Sequence, residues 1–135
     1  MLVKTLDGKE YKWTLLGHNI LDNRPRSDYH KIARQLILEI YNLVLVLEEV
    51  DFKPNSSTTL YLDFYIPTYK ICIEVHGEQH YKFTPFFHKT KLDFLKAQKN
   101  DRVKKDWCEL NGITYIELPF NEQETWKTRL TLKQA

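Results

Sequence analysis

The chain has 135 residues, 42% of them apolar and 28% charged, with a formal net charge of +2. That length supports one domain with a single core, and the composition excludes a disordered chain. No apolar run approaches the roughly 20 residues of a membrane span, and the first residues, MLVKTLDGKEYKW, lack the basic-then-apolar pattern of a secretory leader. A cytosolic protein with no membrane partner is therefore expected.

Residues 2–14 read as a hairpin, because Asp7-Gly8 is a strong two-residue turn signal between short alternating runs. Residues 15–26 read as a loop. Ser27 is a good helix N-cap and Asp28 suits the first turn. The helix should run to about Tyr41, with Ile32, Ala33, Leu36, Ile37, Ile40 and Tyr41 on one face.

Three strands are expected next: Leu43 to Phe52, Thr59 to Ile66 and Tyr69 to Val75, with KPNSST at 53–58 as a loop and Pro67-Thr68 as a turn. In the second, Leu60, Leu62 and Phe64 alternate with Tyr61, Asp63 and Tyr65. In the third, Ile71, Ile73 and Val75 share a side that Cys72 and Glu74 face away from. Residues 77–90 are irregular and aromatic. A long helix should cover Lys91 to Asn111, with Leu92, Leu95, Val103, Trp107 and Leu110 inward and Gly112 just past its end. Ile113 to Leu118 is a fourth core strand, and Asn121 precedes a short last helix. This order predicts an α/β (α+β) domain over residues 1–135: a mixed sheet of about four strands flanked by helices, plus the N-terminal hairpin. The last strand follows a helical crossover and should pair parallel to a central one.

Cys72 and Cys108 are not at ligand or redox-motif spacing and are expected as two buried thiols, with no structural zinc. The net charge alone does not argue for nucleic acid. However, Lys89, Lys91, Lys96, Lys99, Arg102, Lys104 and Lys105 face only Asp93 and Asp101 over residues 89–105. That segment reads either as a solvated helix face or as a phosphate-contacting surface.

The chemistry gathers around EVHGEQH, Glu74 to His80. Asp63 and Glu74 lie near the ends of adjacent strands and should come level across the pair. Two such carboxylates repel, and a divalent cation removes that cost. Mg²⁺ favours one or two carboxylates, with water and phosphate completing its shell. If the chain bends beyond Val75, His76 and His80 also reach the metal as acid–base groups; otherwise each reads as a surface or core histidine. Asp101 reads either as a partner that orients a histidine or as an i, i+4 ion pair with Lys105. The set suits metal-assisted hydrolysis of a phosphodiester.

The segment LDFYIPTYKICIEVHGEQH, followed by NDRVKKDWCELNGITYIELP, resembles the PD-(D/E)xK nuclease superfamily. It is most similar to the branch of very short patch repair endonucleases and related phage homing endonucleases. Asp63-Phe64, His76-Gly77 with His80, Asp101-Arg102 and Asn111-Gly112-Ile113 carry the likeness. The resemblance implies an αβββαβ restriction-endonuclease-like core over residues 27–118, preceded by the hairpin and loop of 1–26 and followed by a C-terminal helix over 119–135. It implies a Mg²⁺-dependent DNA endonuclease, with Mn²⁺ as an alternative ion, working in the cytoplasm of a bacterial or phage-infected cell.

By the same resemblance Asp63 binds the metal with help from a backbone carbonyl near Val75, and Glu74 matches the acid of the E-x-K signature. His80 is the acid–base residue paired with Asp101, and His76 contacts the scissile phosphate or a metal-bound water. The repair enzymes' zinc ligands are missing, with Glu78 where one Cys would be. A helix-borne Glu of the relatives is matched best by His30, so Asp28, His30 or no residue takes that part. Lys89, Lys91, Lys96, Lys99, Arg102 and Lys105, with Tyr81, Phe83, Phe86 and Phe87, would meet DNA; the aromatics also read as a packed lid over the core. Two other readings stand beside this one: a catalytically inactive module that binds DNA or a partner, and a nuclease for branched DNA or RNA. The small size predicts an oligomer, or target recognition helped by the hairpin and last helix.

Overall fold

The computed structural model of the protein describes residues 1–15 and 26–132. Most of the loop expected over residues 15–26 therefore lies outside the described residues. The elements are β1 (Leu2–Lys4), β2 (Glu10–Lys12), α1 (Asp28–Ile40), β3 (Leu47–Asn55), β4 (Thr58–Ile66), β5 (Ile71–His76), α2 (Lys91–Leu110), β6 (Thr114–Pro119) and α3 (Trp126–Leu132). Short 3₁₀ turns cover Glu78–His80 and Phe120–Thr125.

The main sheet has the order β3-β4-β5-β6. Its first three strands are antiparallel neighbours, and β6 returns through α2 to lie parallel to β5. This is the mixed α/β sheet that the order of elements predicts. All six residues of β5 are buried, because helices cover both faces. Ala33 and Ile37 of α1 and Trp126 and Leu130 of α3 pack on Ile71, Ile73 and Val75. Trp107 and Cys108 of α2, with Val3 and Trp13 of the hairpin region, pack on the other face against Cys72, Val50 and Leu62. Cys72 and Cys108 are both free and buried.

The helix ends follow their local chemistry. Ser27 Oγ accepts the His30 N–H at 3.1 Å. Thr90 and Asp93 exchange side-chain and backbone bonds in a capping box. At the far end of α2, Gly112 takes φ +67° while Ile113 N–H donates to Cys108 O at 2.8 Å, which closes the helix as the sequence predicts.

Several expectations change. Leu43 to Val46 are not strand. Leu43 is 92% exposed and β3 begins only at Leu47, because the chain must first turn out of α1. KPNSST is not wholly loop, since β3 continues through Asn55 and only Ser56-Ser57 turn. Asp7-Gly8 lies within a longer connection that closes with Thr5 N–H donating to Lys9 O at 2.7 Å. On α2, Leu92, Leu95 and Leu110 are exposed, as is Ile32 on α1. Only the C-terminal half of α2 lies on the sheet, so its N-terminal leucines have no layer to cover them.

The alternation of β4 also breaks at Asp63. Leu62 and Tyr65 pack in the α2-side core, whereas Phe64 packs in the α1-side core. The register pairs Glu48 with Phe64 and Val50 with Leu62, so Glu49 lies across from Asp63. Glu49 has φ +54°, a left-handed kink that re-aims the side chains at this level.

Candidate active site

β4 and β5 pair through Phe64↔Ile73 and then separate. At the next level their side chains take over from the ladder. Asp63 Oδ2 accepts the Val75 N–H at 2.8 Å, and Glu74 Oε2 accepts the Asp63 N–H at 2.5 Å. Each carboxylate therefore holds the opposite strand's backbone, and the two acids come level as expected. Lys104 of α2 closes the group, donating to Glu74 Oε1 at 2.7 Å.

Burial, followed by the charge of Glu74, raises the Asp63 carboxyl to about 7. Burial also raises Glu74, against the opposing pull of Lys104. Burial works against the Lys104 ammonium, but Glu74 and Asp63 outweigh it and hold its pKa above the ordinary range. One cation thus serves two carboxylates, and proton uptake by Asp63 relieves the excess negative charge.

An open cleft of about 260 Å³ lies over this group, lined by Arg26, Ser27, His30, Asp63, Glu74, Val75, Gln79, His80 and Lys104. His80, on the 3₁₀ turn after β5, bonds through Nδ1 to Asp101 Oδ2 at 2.8 Å. Asp101 thus engages a histidine, and Nε2 is the ring atom left for the cleft. Asp101 and Lys104 are three residues apart on α2, so one helix face serves both His80 and Glu74.

His76 is placed differently from His80. It is buried and absent from the cleft lining. Its Nδ1 lies 3.2 Å from Glu117 Oε1 and its Nε2 3.4 Å from Tyr115 OH. Tyr81 OH donates to Glu117 Oε2 at 2.5 Å. The hydrogen bond with His76, aided by that of Tyr81, holds the Glu117 carboxyl at about 2. The His76 ring stacks on His80, with centroids 4.1 Å apart and planes 3° from parallel. His76 therefore supports the His80 ring from behind.

Two donor sets bear on a metal. The oxygens of Asp63 and Glu74 suit a hard cation such as Mg²⁺. Among the described residues Asp63 Oδ1 carries no bond, whereas both Glu74 oxygens are engaged. Val75 lines the same cleft. The second set, His76, His80 and Asp101, brings ligand atoms within 4.8 Å of one another. A metal lies close to the plane of each imidazole that binds it, about 2 Å from nitrogen. Two stacked, nearly parallel rings offer no common point of that kind, so these rings do not fit a shared ion as they stand.

The predicted DNA-contacting residues Lys89, Lys91, Lys96, Lys99, Arg102 and Lys105 are all exposed. Lys96, Lys99 and Arg102 line a groove with Leu92 and Leu95, apart from the cleft. Phe86 and Phe87 are exposed and meet edge to face, while Phe83 stacks on the buried His88. Asp28 is exposed and absent from the cleft lining, whereas His30 lines it. Sequence reasoning did not single out Lys104, whose signal was its spacing from Asp101. It also missed Glu48, a buried acid bonded to His30 and Arg34, which no local pattern marks.

No family model matches the chain. No solved structure matches it significantly. Among curated proteins it is similar to uncharacterized protein 307L of invertebrate iridescent virus 6, at 40% identity over 70 residues. That match covers 52% of this chain and 36% of the relative. Uncharacterized protein 033L of invertebrate iridescent virus 3 is 36% identical over 67 residues, covering 50% of this chain and 34% of its own length. Uncharacterized protein 094L of frog virus 3 is 35% identical over 72 residues, covering 53% and 46%. The matches span between a third and a half of these relatives' lengths.

Proposed function

We propose that this protein is a divalent-metal-dependent nuclease that hydrolyses phosphodiester bonds in DNA. One observation carries the reading: a single open cleft is lined by Asp63, by the Lys104–Glu74 ion pair and by His80, whose Nδ1 is bonded to Asp101. Phosphodiester hydrolysis needs an activated water, positive charge for the developing oxyanion and a group that orients the base. Asp63, with Glu74 and the Val75 carbonyl as further oxygen donors, would hold Mg²⁺ or Mn²⁺, which supplies charge to the phosphate when bound. Asp101 fixes the His80 tautomer, and His80 Nε2 takes a proton from water in the cleft. Lys104 holds Glu74 in place and presents an ammonium at the same wall.

The exposed basic residues of α2 and the loop before it, with Phe86 and Phe87, make up the surface that meets the DNA backbone. The viral origin of the relatives supports an infected cell as the setting of this activity. Among the described residues no helix is long and apolar enough to cross a membrane.

Lys104 also favours a second reading, a DNA-binding module without turnover. Its ammonium already neutralises Glu74 and supplies part of the charge that a metal would bring. Supercoiled plasmid incubated with Mg²⁺, with EDTA and with the Asp63→Ala variant separates the two. The nuclease cleaves only as wild type with metal. Retained, salt-sensitive DNA binding with no cleavage under any condition selects the module.

A further inference from the structure

The cleft has two walls. The turn after β5 and α2 provide His80 and Lys104, and Asp101 of α2 bonds to His80. α1, which packs on the face of the sheet opposite to α2, provides His30. His30 is built as carefully as His80. Its Nε2 bonds to Glu48 Oε1. Glu48 is fully buried and is held in turn by Arg34 Nη2 at 2.6 Å. The His30 ring stacks on Phe64 at 4.7 Å, and its backbone N–H is fixed by the Ser27 cap. Among the described residues its Nδ1 has no hydrogen-bond partner. Two contacts thus lock the ring and a third fixes its backbone, with one ring nitrogen unused by them in a residue that lines the cleft.

We propose that His30, oriented by Glu48, is the general acid that protonates the leaving oxygen of the diester. The proposal rests on the nuclease reading above and adds a residue to it. In-line displacement at phosphorus places the attacking and leaving oxygens on opposite sides, so a cleft that handles both needs proton-transfer groups on both walls. Lys104 stands on the α2 wall, where an ammonium favours the incoming hydroxide, so His80 is the base. Water forms a P–O bond and gives its proton to His80 Nε2. The P–O bond to the leaving oxygen breaks with its electron pair, and that oxygen takes the Nδ1 proton of the His30 imidazolium. His30 is left neutral with its Nε2–H donated to Glu48. Arg34 holds the Glu48 carboxylate in place throughout.

Two diesters test this, each with Mn²⁺ present. Supercoiled plasmid has an alkoxide leaving group that needs a proton. Bis(p-nitrophenyl) phosphate leaves as nitrophenolate and does not. His30→Gln is expected to lower plasmid cleavage by about 100-fold or more while changing hydrolysis of the nitrophenyl diester by less than about threefold. His80→Gln should depress both. Glu48→Gln keeps the bonding shape without the charge and should repeat the His30→Gln pattern more weakly, which guards against misfolding of the first variant. Equal loss on both substrates in both variants, or unchanged plasmid cleavage by His30→Gln, overturns the assignment and leaves the nuclease reading intact. Wild type inert toward both diesters overturns the two together.

Discussion

Lys104 Nζ lies 2.7 Å from Glu74 Oε1, and Glu74 in turn accepts the Asp63 N–H at 2.5 Å. A helix on one side of the sheet therefore sets the splay of two strands within it. Lys104→Met should leave the buried Glu74 charge without its partner and cost on the order of 3 kcal/mol. Urea unfolding measures this. Adding Glu74→Gln to the same chain should recover most of that loss, while plasmid cleavage stays absent in both.

Asp63 gives stability a pH dependence of unusual sign. Its folded pKa of about 7 lies above the ordinary carboxyl value, so the folded state binds more protons between roughly pH 4 and 7. Metal-free protein should therefore lose stability as pH rises through that window. Melting in EDTA should drop by several degrees between pH 5 and pH 8 in wild type, with a flatter profile in Asp63→Asn. Mg²⁺ should raise the melting temperature more at pH 8 than at pH 5, and only when Asp63 is present.

Glu117 has the opposite sign. Its folded pKa of about 2, set first by the His76 hydrogen bond, is below the unfolded value. Its contribution is present above about pH 4.5 and is lost as pH falls toward 2. The stability gap between wild type and Glu117→Gln should thus close across that acid range, followed by circular dichroism. At neutral pH the variant should also cleave more slowly, because His76 no longer backs the His80 ring firmly.

Asp101 Oδ2 bonds to His80 Nδ1 at 2.8 Å and fixes that ring. Asp101→Asn should lower cleavage by about 10²- to 10⁴-fold, with stability changed by less than about 1 kcal/mol. A stability loss comparable to that of Lys104→Met would instead give Asp101 a structural role.

Much of this site was legible because it is local. The short turn between β4 and β5 made the sum of paired residue numbers predictable, so Asp63 and Glu74 came level. His80 followed because the chain bends at the end of β5. Lys104, Glu48 and the α1 wall were harder to read, since each meets its partner across a long sequence separation and no periodicity reports that. Likewise, apolar spacing marked Leu92, Leu95, Trp107 and Leu110 as one kind of residue. Which of them a neighbouring layer covers depends on where α2 crosses the sheet, and only the segment at Trp107 and Cys108 is covered.

Asp101 and Lys104 share one helical turn yet bond to different strand-end groups, and the next turn is clamped by Trp107 in the core. α2 therefore behaves like a camshaft: a slight rotation about its axis misaligns the histidine and the carboxylates at the same moment. A smaller side chain at Trp107, well away from any substrate, would blur the timing of both contacts at once, and the damage would look like a loss of chemistry.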